Sequence, residues 1–233
     1  MTDRHDTSTT LPWLRQGTEL LLTTVDKLDD DAFAEPSSLP GWTRAHLVGH
    51  VARNAEALVR LATWARTGVE NPMYADRAQR AAEIEESVGF PPDRLRRELH
   101  ETAEALDAAL AQLTPEAWRS EVRSALGRAI PAAEVPWMRN REVWLHAVDL
   151  DTGVTTADLP ADLVDLLLDD VTGMLSTKDG CPACTLRPTD RNREWQLGRA
   201  PALGEIAAPA ARVAGWLTGR ATLPDTPALP TWL

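Results

Sequence analysis

Cysteine, lysine and tyrosine are scarce in this chain, and each shortage narrows what it can do. Cys181 and Cys184, in "CPAC", are the only cysteines among 233 residues. With no second CxxC and no histidine pair beside it, this stretch makes neither a disulfide framework nor a four-ligand zinc site. The βαβ setting of a thioredoxin-like redox motif is also missing, so the two thiols read as incidental and reduced, and the chain offers no catalytic cysteine. Lys27 and Lys178 are the only lysines, which leaves arginine to carry almost all of the positive charge. Against a net charge of −11, any anionic substrate has to be met by local arginines. The same acidic balance excludes general binding to nucleic acid or to anionic membranes. No run of about 18 apolar residues is present; "LVDLLLDDVTGML" is broken by Asp169 and Asp170. "MTDRHDTSTT" has no apolar core like that of a signal peptide, so a cytoplasmic protein is expected.

What is present is helical periodicity. Thr10 followed by Pro12 reads as a helix start, continued by Leu14, Leu20, Leu21, Val25 and Leu28. After the polar connection 29–41, Thr43 caps a second helix to about Arg66, with Leu47, Val51, Leu58 and Leu61 on its apolar stripe. His50 and Asn54 share that stripe. A third helix is expected from Tyr74 to about Ser87, a fourth over 93–113, and a fifth through 137–150. Residues 119–130 suit a short strand or hairpin. From about 154 the texture changes to one helix over 160–176, strand-like "CTLRP" and "REWQLG", and a closing helix from about Pro209. The expected architecture is a helical bundle over 1–153 and a small α/β domain over 154–233.

"WMRNREVWLHAVDL" (137–150) sets Glu142 and His146 four apart on a face shared with Val135, Met138, Leu145 and Asp149. At that spacing the two side chains project together, with Cβ atoms roughly 5–6 Å apart. A carboxylate turned toward an apolar interior needs a cation, a proton or a hydrogen-bond partner. His46 and His50 have the same spacing in the second helix. His50 lies a turn deeper among apolar residues, whereas His46 falls in the first turn and is expected to face solvent. Two imidazoles and one carboxylate suit Zn²⁺ with a fourth position open, and Fe²⁺ accepts the same set. A polar core in which the three side chains only hydrogen-bond to one another remains an alternative.

"LPGWTRAHLVGHVARNAEAL" (39–58), "WARTGVENPMY" (64–74) and "WMRNREVWLHAVDL" closely resemble the mycothiol-dependent maleylpyruvate isomerase family, whose N-terminal part is a DinB-like metal-binding four-helix bundle. "ARVAGWLTGR" (211–220) is similar to the last helix of that family's C-terminal, sterol-carrier-like α/β domain. The resemblance implies metal ligands at His50, Glu142 and His146, an active-site arginine at Arg220, and a hydrogen-bonding role for Tyr74. It implies zinc (or another divalent metal) and mycothiol as cofactors, and a small dicarboxylate, maleylpyruvate, isomerised from cis to trans. An S-transferase conjugating the same thiol to electrophiles, or a metal-binding sensor without turnover, are the competing readings.

Overall fold

The computed structural model describes residues 3–199 and 204–232. Cα packing divides the chain into two units, Arg4–Thr152 and a second unit built on Gly153–Leu233. In the first, α1 (Thr7–Asp26), α2 (Arg44–Thr67), α4 (Pro92–Ala111) and α6 (Val135–Asp149) form a four-helix bundle. Its principal contacts are α2 with α4, α1 with α6 and α2 with α6, and α1 with α4 closes the ring. The shorter α3 (Arg77–Val88) lies on α2. One-turn α5 (Pro115–Arg119) leads into an antiparallel hairpin of β1 (Glu121–Arg123) and β2 (Ala129–Pro131).

Local chemistry explains the boundaries. Asp6 caps α1 by accepting from the Ser8 N–H at 3.0 Å, so the helix begins before Thr10, and Pro12 lies inside it rather than marking its start. The donor that proline lacks leaves only the carbonyl of exposed Ser8 without its helical partner, which water can satisfy. Thr43 caps α2, and Gly68, at φ 73°, ends it in the left-handed conformation that glycine adopts without steric cost. α3 starts at Arg77 rather than Tyr74 because Asp76 accepts from the Gln79 N–H at 2.8 Å.

The core of the bundle includes Leu47, Leu58, Leu61, Leu95 and Leu99, all essentially inaccessible. Each such side chain contributes about 1.5–3 kcal/mol by leaving water. Arg139 is as buried as these leucines. It donates through Nη1 to Val51 O at 2.7 Å and to Asn54 Oδ1 at 2.8 Å, tying α6 to α2 beside His50. Burial pushes its pKa down to about 10, which still leaves it charged at neutral pH.

The second unit contains α7 (Ala161–Leu175), β3 (Cys184–Leu186), β4 (Trp195–Leu197), β5 (Glu205–Ile206) and α8 (Ala210–Leu217). Its sheet has the order β4-β3-β5, with β4 antiparallel and β5 parallel to β3. The fold is thus mainly helical with a small α/β part. β5 is two residues long, too short to leave a periodic signature in the sequence.

Candidate metal centre

α2 and α6 cross so that His50, Glu142 and His146 converge, and one ligand atom from each lies within 4.8 Å of the others. Glu142 Oε2 is the hub, 2.9 Å from His50 Nε2 and 3.3 Å from His146 Nε2. The two imidazole rings meet edge to face with centroids 4.9 Å apart. Ligand atoms on a tetrahedron around Zn²⁺ at bonds of 2.0–2.2 Å stand roughly 3.3–3.6 Å apart. In ligand type and spacing, the three side chains therefore suit a divalent ion.

The supporting residues are as specific as the cluster itself. Asp149, fully buried one turn beyond His146, has Oδ2 2.8 Å from His146 Nδ1. That contact keeps a proton on Nδ1, the tautomer that leaves Nε2 available to a metal, and it fixes the ring plane. Ser38 donates to the other Asp149 oxygen at 3.3 Å. Trp42 packs edge-on against His50, with centroids 5.5 Å apart. The Glu142 side chain keeps 23% exposure, against 5% for His50 and 12% for His146, so the cluster is open on the carboxylate's side.

Electrostatics follows from burial and partners. Burial raises the Glu142 carboxyl's pKa, but hydrogen bonds from His146 and His50 outweigh it and hold the group well below the usual carboxylate range. Burial lowers the pKa of His50 despite the Glu142 contact, which favours a neutral ring. In His146 burial also works downward, yet Asp149 and Glu142 prevail and its pKa is raised.

His46 is not the solvent-facing residue that its first-turn position suggests. Its side chain is 14% exposed and occupies the third helical position of a capping box, with Nδ1 accepting from the Thr43 N–H at 3.1 Å. It stacks on Trp42 as well, and its place in the cap explains why His50, not His46, reaches the cluster.

Tyr74 precedes α3; burial raises its hydroxyl pKa, against the opposing charge of nearby Arg80. The guanidinium carbon of Arg60 lies 5.9 Å from the tyrosine ring centre. Arg80 itself, which periodicity alone does not single out, places Nη2 3.3 Å from His50 Nδ1. Arg220 follows α8 in the second unit. Gly219, at φ 78°, turns the chain there, and Arg220 is half-buried with Nη1 donating to Thr218 O at 2.8 Å. Cys181 and Cys184 are free thiols, both with pKa raised by burial, the reverse of an activated nucleophile.

Residues 14–151 match the family model described as the mycothiol maleylpyruvate isomerase N-terminal domain. Over its whole length the chain is similar to a solved structure described as the mycothiol-dependent maleylpyruvate isomerase. The two are 34% identical, 100% of each chain is covered, and the TM-score is 0.92. A histidine-to-alanine mutant of that enzyme aligns over the same extent at 33% identity and a TM-score of 0.91. The search of curated proteins gives no match.

Proposed function

The chain belongs to the mycothiol-dependent maleylpyruvate isomerase family, and on that premise we propose that it converts maleylpyruvate to fumarylpyruvate in the cytoplasm, using mycothiol and a divalent metal, zinc in the first instance. The observation that carries this reading is the convergence of His50, Glu142 and His146 within a chain that aligns end to end with that isomerase.

Rotation about a carbon–carbon double bond requires that the bond become single for a time. A thiolate adding to the alkene and leaving after rotation achieves that, with no net change in atoms or electrons. A free thiol of pKa near ~8.5 is only a few per cent ionised at neutral pH. When bound at the triad, the metal supplies positive charge that favours the thiolate or the enolate formed on addition.

The protein's own residues provide the rest. His50 and His146 present imidazole nitrogens, and Glu142 brings a negative charge that draws a divalent cation to them. Asp149 holds His146 in the ligating tautomer. Tyr74, which feels the charges of Arg80 and Glu142, is assigned a hydrogen bond to the bound thiol or substrate. Arg220 is assigned to a substrate carboxylate, because a guanidinium fork matches a carboxylate bidentately. Support for Arg220 comes from the family resemblance of "ARVAGWLTGR" and from the dianionic substrate.

Turnover of maleylpyruvate, followed with and without mycothiol beside a conjugation assay on a generic electrophile, tests the reading. Thiol-dependent formation of the trans isomer with the thiol recovered unchanged is expected. Consumption of thiol into a stable conjugate, without isomerisation, would replace the isomerase by an S-transferase.

A further inference from the structure

Arg80 differs from the bundle arginines that an acid neutralises. Arg44 pairs with Glu35, Arg53 and Arg94 with Glu98, Arg96 with Asp30, and Arg128 with Glu134. Among the described residues no carboxylate comes within ion-pair distance of Arg80; its hydrogen-bond partner is His50 Nδ1, at 3.3 Å. α3 thus delivers a half-buried guanidinium to the rim of the triad and leaves its charge unmatched by any acid within 4 Å.

The contact with His50 has a chemical consequence. A guanidinium has only donors, so Nδ1 must accept, and the ring proton of a neutral His50 then sits on Nε2, facing Glu142. A ligating Nε2 requires the proton on Nδ1, where it would meet the Arg80 N–H, donor against donor. His146 has the opposite arrangement, with a carboxylate at Nδ1. The Arg80–His50 hydrogen bond and ligation through His50 Nε2 therefore exclude one another. Once His50 ligates, Arg80 loses that acceptor.

We propose that Arg80 is a substrate-binding residue that receives a carboxylate of a small dicarboxylate dianion beside the metal centre, because ligation by His50 denies its guanidinium that acceptor. This rests on the reading of the chain as a dicarboxylate isomerase and deepens it, by placing a carboxylate receptor within the bundle itself. It also assigns α3, an element with little buried surface of its own, the task of carrying that receptor.

The test uses the full-length metal-loaded protein, its Arg80→Gln variant and its Arg80→Lys variant. Three quantities are read: zinc affinity by competition with a chromophoric chelator, maleate affinity by calorimetry, and kcat and KM for maleylpyruvate. Arg80→Gln is expected to weaken maleate binding and raise KM at least tenfold, with zinc affinity unchanged or higher because the opposing donor is gone. Arg80→Lys, which keeps the charge but loses the fork, is expected to recover part of the maleate affinity. Unchanged maleate affinity and KM in Arg80→Gln overturn the proposal. So does a variant whose main defect is weaker zinc binding, which would make Arg80 only a support for His50. Maleate binding does not depend on turnover, so the two readings fail separately. A wild-type protein that binds maleate through Arg80 without isomerising maleylpyruvate refutes the reaction and keeps the receptor, whereas one that does not bind maleate removes the receptor.

Discussion

His146 lies between two carboxylates with different tasks: Glu142 shares the candidate ion with it, and Asp149 holds its far nitrogen at 2.8 Å. Residues that orient a ligating histidine typically matter 10–100-fold in metal affinity. Asp149→Asn is therefore expected to weaken zinc binding by about one to two orders of magnitude with the fold retained, checked by chelator competition and circular dichroism. An unaltered affinity would reduce Asp149 to a packing residue. Glu134 illustrates a purely structural carboxylate. Its side chain is 3% exposed and accepts from Arg128 and from His5 Nε2 at 3.1 Å. Burial works to raise its pKa, but these partners outweigh it and the group ends below the ordinary carboxylate value. A depressed folded-state pKa contributes stability at pH values above the unfolded-state pKa and loses it as pH falls through the folded one. Glu134→Gln should accordingly cost stability at pH 7, and the difference from wild type should shrink below about pH 4, measured by urea denaturation at both pH values. A gap that stays constant with pH would show that the ion pairs contribute nothing.

Between elements, two close approaches set the site. A Cβ on Gly49 would stand 2.4 Å from the Ser87 Cβ, so α2 and α3 touch where glycine leaves room, one residue from His50 and about two turns from Arg80. At Gly17 the obstacles are Trp144 Nε1 at 2.5 Å and Val143 Cγ2 at 2.7 Å, which set the approach of α1 to α6. Alanine gains helix propensity at either position, by about 1 kcal/mol, but overpacking typically costs about 1–3 kcal/mol. Gly17→Ala is expected to lower the melting temperature, and Gly49→Ala to raise KM as well, by moving α3 and Arg80 away from the triad. Thermal melts beside steady-state kinetics check both; a Gly49→Ala enzyme with native KM would contradict this view of α3. These approaches also show where sequence reading stops. The Glu142–His146 pair and the stripe bearing His50 were legible because a helix fixes which residues share a face. The Thr43 cap and the break at Gly68 follow from local chemistry in the same way. Arg80 and the capping role of His46 were not legible: one depends on how α3 lies on α2, the other on a side chain turning back to the preceding residues. Pro12 misled because the one carbonyl it leaves unpartnered is that of exposed Ser8, which water can satisfy.

At the scale of the whole molecule, a metal held only by the folded bundle must also stabilise it. At a free concentration a hundred times its dissociation constant, a ligand adds about 2.7 kcal/mol to stability. For a protein of this size that corresponds to a fall of roughly 5–10 °C in Tm on chelation. Scanning calorimetry of zinc-loaded and chelated samples reads it, and coincident melts would mean that the triad is only a hydrogen-bonded polar core. Among the described residues no helix is long and apolar enough to cross a membrane, and the net charge of −11 works against any anionic substrate. Arginine at the site therefore has to supply locally what the overall field withholds.

The central claim is that His50, Glu142 and His146 hold the metal on which thiol-dependent isomerisation depends. Its most direct test is zinc stoichiometry together with maleylpyruvate turnover, with mycothiol present, in the wild-type protein, the chelated protein and His50→Ala. One equivalent of zinc in the wild type is expected, with turnover lost on chelation, restored by zinc, and absent with the metal in His50→Ala. Turnover that persists in chelated, zinc-free protein would contradict the account.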